Sequence, residues 1–148
     1  MKSCCKYLLL SIMLLGTIEC AYSDNVRYLT DDEFMSLFFD TSGDRPVYSY
    51  HDTVPCIVDF YTVWCGPCKM LAPIMSELSE QYKGQVNFYK VDIDKERYVA
   101  RLLGITSIPQ MLFVPLSDRP QMIKGFRQKE IIEAIINEYL LGKVECGR

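Results

Sequence analysis

Histidine is nearly absent from this sequence, which contains only His51 among its 148 residues. With one histidine and no second Cys-x-x-Cys pair, the chain lacks the further ligands that a structural zinc site needs. The formal net charge is −3, so the basic excess typical of nucleic-acid-binding proteins is missing too. Neither an internal repeat nor a long low-complexity run is present. We therefore expect no metal, no cofactor and no nucleic-acid partner.

The body of the chain has the composition of one globular domain. Hydrophobic residues make up 49% and charged residues 24% of the sequence, which are ordinary proportions. A chain of 148 residues is long enough to bury a sizeable core. We expect a single domain over residues 22–148, present as a monomer.

Residues 1–21 have the pattern of an export signal. Lys2 and Lys6 precede a leucine-rich, almost uncharged stretch over residues 7–18. That stretch is too short to span a bilayer comfortably, but it suits the apolar region of a secretory signal. The sequence therefore predicts an exported protein.

The fate of this segment stays open between three alternatives. Cleavage after Ala21 and lipid attachment at Cys20 are both compatible with the pattern, although Glu19 is unfavourable for each. An uncleaved anchor is the third. The expected location is the periplasm, either free or as a lipoprotein tethered to the membrane and facing the periplasm.

Strand and helix patterns alternate along the body of the chain. Thr30 and Glu33 form a capping box, which predicts a helix that begins at Asp31. The predicted elements are a strand over 26–29, a helix over 31–39, a strand over 56–61, a helix over 65–82, a strand over 86–93, a helix over 95–103, strands over 110–115 and 121–126, and a helix over 128–141. Residues 47–53 are assigned to a loop. This order predicts an α/β fold, with a central mixed β-sheet flanked by helices on both faces.

Cys65 and Cys68 are the closely spaced cysteines of the body, and they follow a buried strand at the start of a predicted helix. Unpaired amides and the helix dipole stabilise a thiolate there, which predicts a lowered pKa for Cys65. The thiolate is the attacking species in disulfide exchange, and Cys68 lies one turn away. Between them, Gly66 allows a tight turn and Pro67 presets a helical φ. The competing interpretations are half a zinc site and a purely structural disulfide, which would stabilise little across so short a loop.

At these residues the chain resembles the thioredoxin family. The similarity is carried by VDFYTVWCGPCK over residues 58–69, MLAPI over 70–74, KVDID over 90–94, GITSIP over 104–109, and Gly125. These segments occur in the family's order and extend from about residue 26 to about residue 140. The resemblance implies the thioredoxin fold for residues 22–148.

The resemblance also implies roles for individual residues. It makes Cys65 the nucleophile and Cys68 the resolving thiol of a Cys65–Cys68 disulfide. Asp59 becomes a buried proton acceptor for Cys68, with Lys90 as its partner, and an aspartate in a buried strand needs such a reason. The implied substrate-binding residues are Trp64, Gly66, Pro67, Ile108, Pro109 and Gly125, with a cis peptide bond before Pro109.

Two departures from the family pattern stand out. Tyr61 replaces the tryptophan of many members, which we expect to change packing only. Residues 40–55 are longer than in the shortest members, and the segment is either a plain loop or a partner contact. Cys56 is expected to be a buried, inert strand residue.

The implied activity is thiol–disulfide oxidoreduction, with disulfide-containing proteins as substrates. The Gly66–Pro67 dipeptide lacks the histidine of strong oxidases, which favours a protein-disulfide reductase recycled by a reductase or a membrane thiol carrier. A binding or holdase module without turnover, and a net oxidase or isomerase in an oxidising compartment, remain the alternatives. A reductase dedicated to cytochrome maturation is disfavoured because its acidic insertion is absent.

Overall fold

A computed structural model describes residues 25–143 of the chain. The proposed export signal, including Cys20 and Ala21, and Cys146 lie outside the described residues. The elements are β1 Val26–Tyr28, α1 Asp31–Phe38, β2 Phe39–Asp40, β3 Val47–Tyr48, β4 Cys56–Tyr61, α2 Gly66–Gln81, β5 Asn87–Asp92, α3 Arg97–Leu102, β6 Gln110–Val114, β7 Gln121–Lys124 and α4 Lys129–Ile135, which continues as a π-helical segment over Ile136–Leu140.

The main sheet has five strands in the order β1-β5-β4-β6-β7. Strand β4 lies at its centre, parallel to β5 and antiparallel to β6, while β1 pairs in parallel with β5. Its residues Cys56, Ile57, Val58, Asp59 and Phe60 are all buried, because both faces of the strand are covered. The prediction of a mixed sheet is confirmed.

Two hydrophobic clusters cover the two faces of this sheet. Side chains alternate along β4, so Ile57 and Phe60 contribute to different clusters. One cluster contains Ile57 with Leu71, Met75 and Leu78 of α2 and Ile132 of α4. The other contains Val58 and Phe60 with Phe34 and Phe38 of α1 and Val99 of α3. Helices therefore pack on both faces, as the sequence predicts.

The sequence prediction misses a small antiparallel hairpin formed by β2 and β3. Phe39 begins β2 instead of ending α1, and it pairs with Tyr48 of β3, which lies in a segment predicted to be a loop. The amide of His51 donates to the carbonyl of Leu37 at 2.9 Å, which attaches the segment to α1. Strands of two residues are too short to leave a periodic pattern in the sequence.

The third helix begins later than predicted, and the last helix changes type along its length. The amides of Lys95 and Glu96 donate to the carbonyl of Asp92 at 3.0 and 2.8 Å, so this stretch forms a turn and α3 begins at Arg97. The last helix changes from α-helical to π-helical hydrogen bonding at Ile136. Across residues 25–143, no helix combines the length and apolar character needed to cross a membrane.

Candidate active site

A disulfide bond joins Cys65 and Cys68 at the start of α2. The S–S distance is 2.09 Å and the Cα–Cα distance is 5.3 Å. Cys65 is the N-cap residue of α2, and its Sγ accepts a hydrogen bond from the amide of Cys68 at 3.2 Å. After reduction, the same amide and the helix N-terminus would stabilise a thiolate at Cys65. The two residues are only 5% and 3% exposed, so a substrate must come close to the backbone to reach them.

The segment between β4 and α2 explains how the pair is positioned. β4 ends at Tyr61, and the amide of Cys65 donates to the carbonyl of Thr62 at 3.3 Å. Pro67 lies in the first turn of α2, where its missing N–H costs no hydrogen bond. Gly66, however, does not have a positive φ, and a Cβ there would have no atom within 4 Å. The space beside Gly66 is therefore open.

Trp64, the only tryptophan of the sequence, directly precedes Cys65. Its side chain is large and apolar, yet the residue is 68% exposed. Its Nε1 donates to Asp94 Oδ2 at 2.6 Å. The hydrogen bond orients the exposed ring next to the cysteines. The sequence does not indicate this role of Asp94, because nothing in the spacing of the two residues shows that the loop after β5 reaches Trp64.

The loop before β6 supplies the second part of the site. The Ile108–Pro109 peptide bond is cis, as the resemblance implies. Phe60 pairs with Gln110, which places Pro109 beside the end of β4 from which the Cys65 segment departs. Gly125, with a φ of 84°, donates its amide to the carbonyl of Pro109 at 2.8 Å. The segment after β4, the loop before β6 and the residue after β7 therefore lie at the same end of the sheet.

Asp59 lies on β4 with its side chain on the face that α2 covers, because it is two residues from Ile57. It is fully buried, and among residues 25–143 neither of its carboxylate oxygens has a hydrogen-bond partner. Burial raises the pKa of Asp59 to about 7, and the positive charge of Lys90 opposes that rise. A carboxyl with this pKa can both accept and release a proton near neutral pH.

Lys90 is the register partner of Asp59 on the neighbouring strand β5. Its Nζ lies 3.9 Å from Asp59 Oδ2, and its side chain is 9% exposed. The two charged groups therefore approach each other without a close hydrogen bond. The same Nζ lies 5.0 Å from the centroid of the Tyr61 ring, a contact that the sequence pattern does not indicate.

Cys56 is the free cysteine within residues 25–143. It is completely buried in β4, and burial raises the pKa of its thiol to about 12. The prediction of a buried residue is confirmed, and the raised pKa makes the thiol unreactive. Within the same residues, no cluster of three or more His, Cys, Asp and Glu side chains is arranged to hold a metal.

Comparison with known proteins yields one consistent family. The family model described as Thioredoxin matches residues 44–138. The chain is 41% identical to the thioredoxin of Borreliella burgdorferi over 111 residues, which cover 75% of this chain and 94% of that protein. It is 37% identical to the thioredoxin of a Synechocystis species over 87 residues, which cover 59% of this chain and 81% of that protein.

The fold is also similar to that of a solved structure. The crystal structure of chloroplastic thioredoxin z superimposes with a TM-score of 0.63, covering 76% of this chain and 92% of that one. The sequence identity is 24%, so this similarity concerns the fold alone. It confirms the predicted thioredoxin fold.

Proposed function

The chain belongs to the thioredoxin family, and from that premise we propose that it reduces or reshuffles protein disulfides outside the cytoplasm through Cys65 and Cys68. The coarser activity, thiol–disulfide oxidoreduction, is that of its relatives. The observation that carries the proposed chemistry is the Cys65–Cys68 disulfide at the N-terminus of α2, which follows the end of β4 where β6 begins. The roles given below to individual residues are part of the proposal.

The reaction begins with the reduced protein. The Cys65 thiolate attacks one sulfur of the substrate disulfide, the substrate S–S bond breaks, and the released sulfur takes up a proton. Cys68 then loses its proton to Asp59 and attacks Cys65 Sγ in the mixed disulfide. The second substrate thiolate leaves and is protonated. The substrate gains two electrons and the cysteine pair loses two. A reductase or a membrane thiol carrier returns those electrons to the pair.

The substrate-binding surface we propose surrounds this pair. Trp64 is exposed, and the region beside Gly66 and Pro67 is open. We propose that the backbone of Ile108, in the loop before β6, pairs in a strand-like way with an extended substrate segment. Gly125 supports this loop by its hydrogen bond to the carbonyl of Pro109.

The reducing direction predicts a low redox potential for the pair. Equilibration of the protein with dithiothreitol or glutathione buffers should give a midpoint near about −270 mV, because no histidine in the Gly66–Pro67 dipeptide stabilises the thiolate. The variant Pro67→His provides a matched comparison and should have a less negative midpoint. A wild-type midpoint near about −120 mV would instead indicate a net oxidase.

The location outside the cytoplasm is supported by Lys2, Lys6 and the apolar stretch over residues 7–18. Mass spectrometry of the mature protein from its native cells should find an N-terminus at Tyr22 or a lipid-modified Cys20. An intact Met1 in the cytoplasmic fraction would contradict the proposed location.

A further inference from the structure

The ammonium group of Lys90 lies between two different kinds of partner. On one side is Asp59 Oδ2, at 3.9 Å. On the other is the ring of Tyr61, whose centroid lies 5.0 Å from Nζ. The 3.9 Å separation is longer than a hydrogen bond, so the carboxylate alone does not fix the position of the ammonium. An aromatic face at this distance attracts a cation, and most strongly where water is excluded.

We propose that Tyr61 is a positioning residue: its ring holds the Lys90 ammonium beside Asp59, and in this way it sets how readily Asp59 takes a proton from Cys68. The proposal deepens the proposed function, on which its catalytic consequence rests. It also gives a role beyond packing to Tyr61, which departs from the family pattern.

The strand register explains why these three side chains meet. Asp59 and Tyr61 are two residues apart on β4 and point to the same face of the sheet. Lys90 is opposite Asp59 on β5, so Tyr61 is its diagonal neighbour. Tyr28 is opposite Lys90 on β1 and contacts the Tyr61 ring in a T-shaped arrangement, at a centroid distance of 6.4 Å. The Tyr61 ring therefore contacts the ammonium of Lys90, and the ring of Tyr28 packs against the Tyr61 ring.

The surroundings offer Lys90 another position. A cavity of about 140 Å³ is lined by Tyr61 and Lys90 together with Tyr28, Asp92, Lys95 and Glu96. Two of these residues, Asp92 and Glu96, are acidic, and Asp92 is already 3.8 Å from Lys95. Without the ring of Tyr61, the ammonium is free to turn toward these carboxylates and away from Asp59.

The other groups around Asp59 do not replace Lys90. Its register partner on β6 is Met111, which carries no charge. Cys68 of α2, whose proton Asp59 is proposed to accept, is bonded to Cys65 in the oxidised protein and carries no charge there. Tyr61 itself stays neutral near pH 7, because burial and the nearby Asp92, Tyr28 and Asp59 raise its pKa to about 12. The distance from the Lys90 ammonium to Asp59 therefore sets how strongly a positive charge favours the ionised form of the Asp59 carboxyl.

The test is a titration of the Asp59 carboxyl by NMR, using protein with isotope-labelled aspartate and the Cys65–Cys68 disulfide intact. In Tyr61→Leu the midpoint should rise by about one pH unit, since the charged carboxylate loses the nearby cation that favours it. Tyr61→Phe keeps the ring and should titrate as the wild type does. Tyr98→Leu, which removes an exposed tyrosine on α3, is the matched control and should also leave the midpoint unchanged.

A double-mutant cycle separates positioning from a general change in burial. Lys90→Met should raise the midpoint, and adding Tyr61→Leu to it should raise it no further, because both changes act through the same cation. An unchanged midpoint in Tyr61→Leu, or an equal shift with and without Lys90, would overturn the proposal. If Tyr61→Leu does not fold, Tyr61→Met is used in the same cycle.

The proposed function fails in a different measurement. The titration uses no substrate, so its result does not depend on turnover. If the midpoint moves in Tyr61→Leu while the pH profile of insulin reduction does not, the role of Asp59 as proton acceptor is contradicted. The coupling of Tyr61, Lys90 and Asp59 would then still stand.

Discussion

Replacing Cys65 by serine is expected to eliminate the reduction of insulin disulfides by dithiothreitol beyond the uncatalysed rate. The reason is that a serine hydroxyl is a poor nucleophile toward sulfur, and Cys65 is the one described cysteine that is the N-cap of a helix. The loss should be on the order of a thousand-fold or more. The measurement is the turbidity of precipitating insulin chains, recorded for both proteins at equal concentration.

The Cys68→Ser variant should fail in a different way. Its Cys65 still attacks the substrate, but no thiol is present to resolve the mixed disulfide, so a covalent adduct accumulates. Cys56→Ala is the matched control, because this buried thiol is expected to take no part in the reaction, and the variant should retain activity.

For the Cys65→Ser variant, a rate of insulin reduction equal to that of the wild type would refute the oxidoreductase mechanism and favour a binding module without turnover.

The second large effect concerns stability and its dependence on pH. The pKa of Asp59 is about 7 in the folded protein and is raised from an ordinary value of 3.8 by burial. The folded state therefore binds this proton more tightly than the unfolded state does. The stability that the protonated group contributes is complete below about pH 4 and is lost as the pH rises through about 7.

The expected size follows from the same two values. A shift of about three pH units corresponds to about 4 kcal/mol of unfolding free energy at about pH 9. Asp59→Ala lacks this titrating group. Between about pH 4 and pH 9, the unfolding free energy of the variant should therefore rise by about 4 kcal/mol relative to that of the wild type. Urea unfolding of both proteins measures it, with the Cys65–Cys68 disulfide kept oxidised so that neither of these thiols titrates. Parallel pH dependences would contradict the assignment of a raised Asp59 pKa.

The elements that position the chemistry could be predicted from the sequence. Strand β4 spans residues 56–61 as expected, because a short apolar run bounded by turns is a strong local signal. Helix α1 begins at Asp31 because Thr30 and Glu33 form the predicted capping box. The single carboxylate in β4 was recognisable as unusual, since a buried charge needs a partner or a proton.

Contacts between distant segments could not be predicted in the same way. The hydrogen bond from Trp64 to Asp94 and the contact of Lys90 with Tyr61 both depend on strand register and on the path of loops. Local patterns report which face a side chain occupies, but not which side chain of another strand reaches it.

The most direct test of the central claim is the identity of the cysteine that binds substrate. In the Cys68→Ser variant, incubation with oxidised insulin followed by alkylation and peptide mapping should place the substrate chain on Cys65 in nearly every adduct. That result would establish Cys65 as the nucleophile and Cys68 as the residue that releases the product. An adduct at any other cysteine, or the absence of an adduct, would contradict the account.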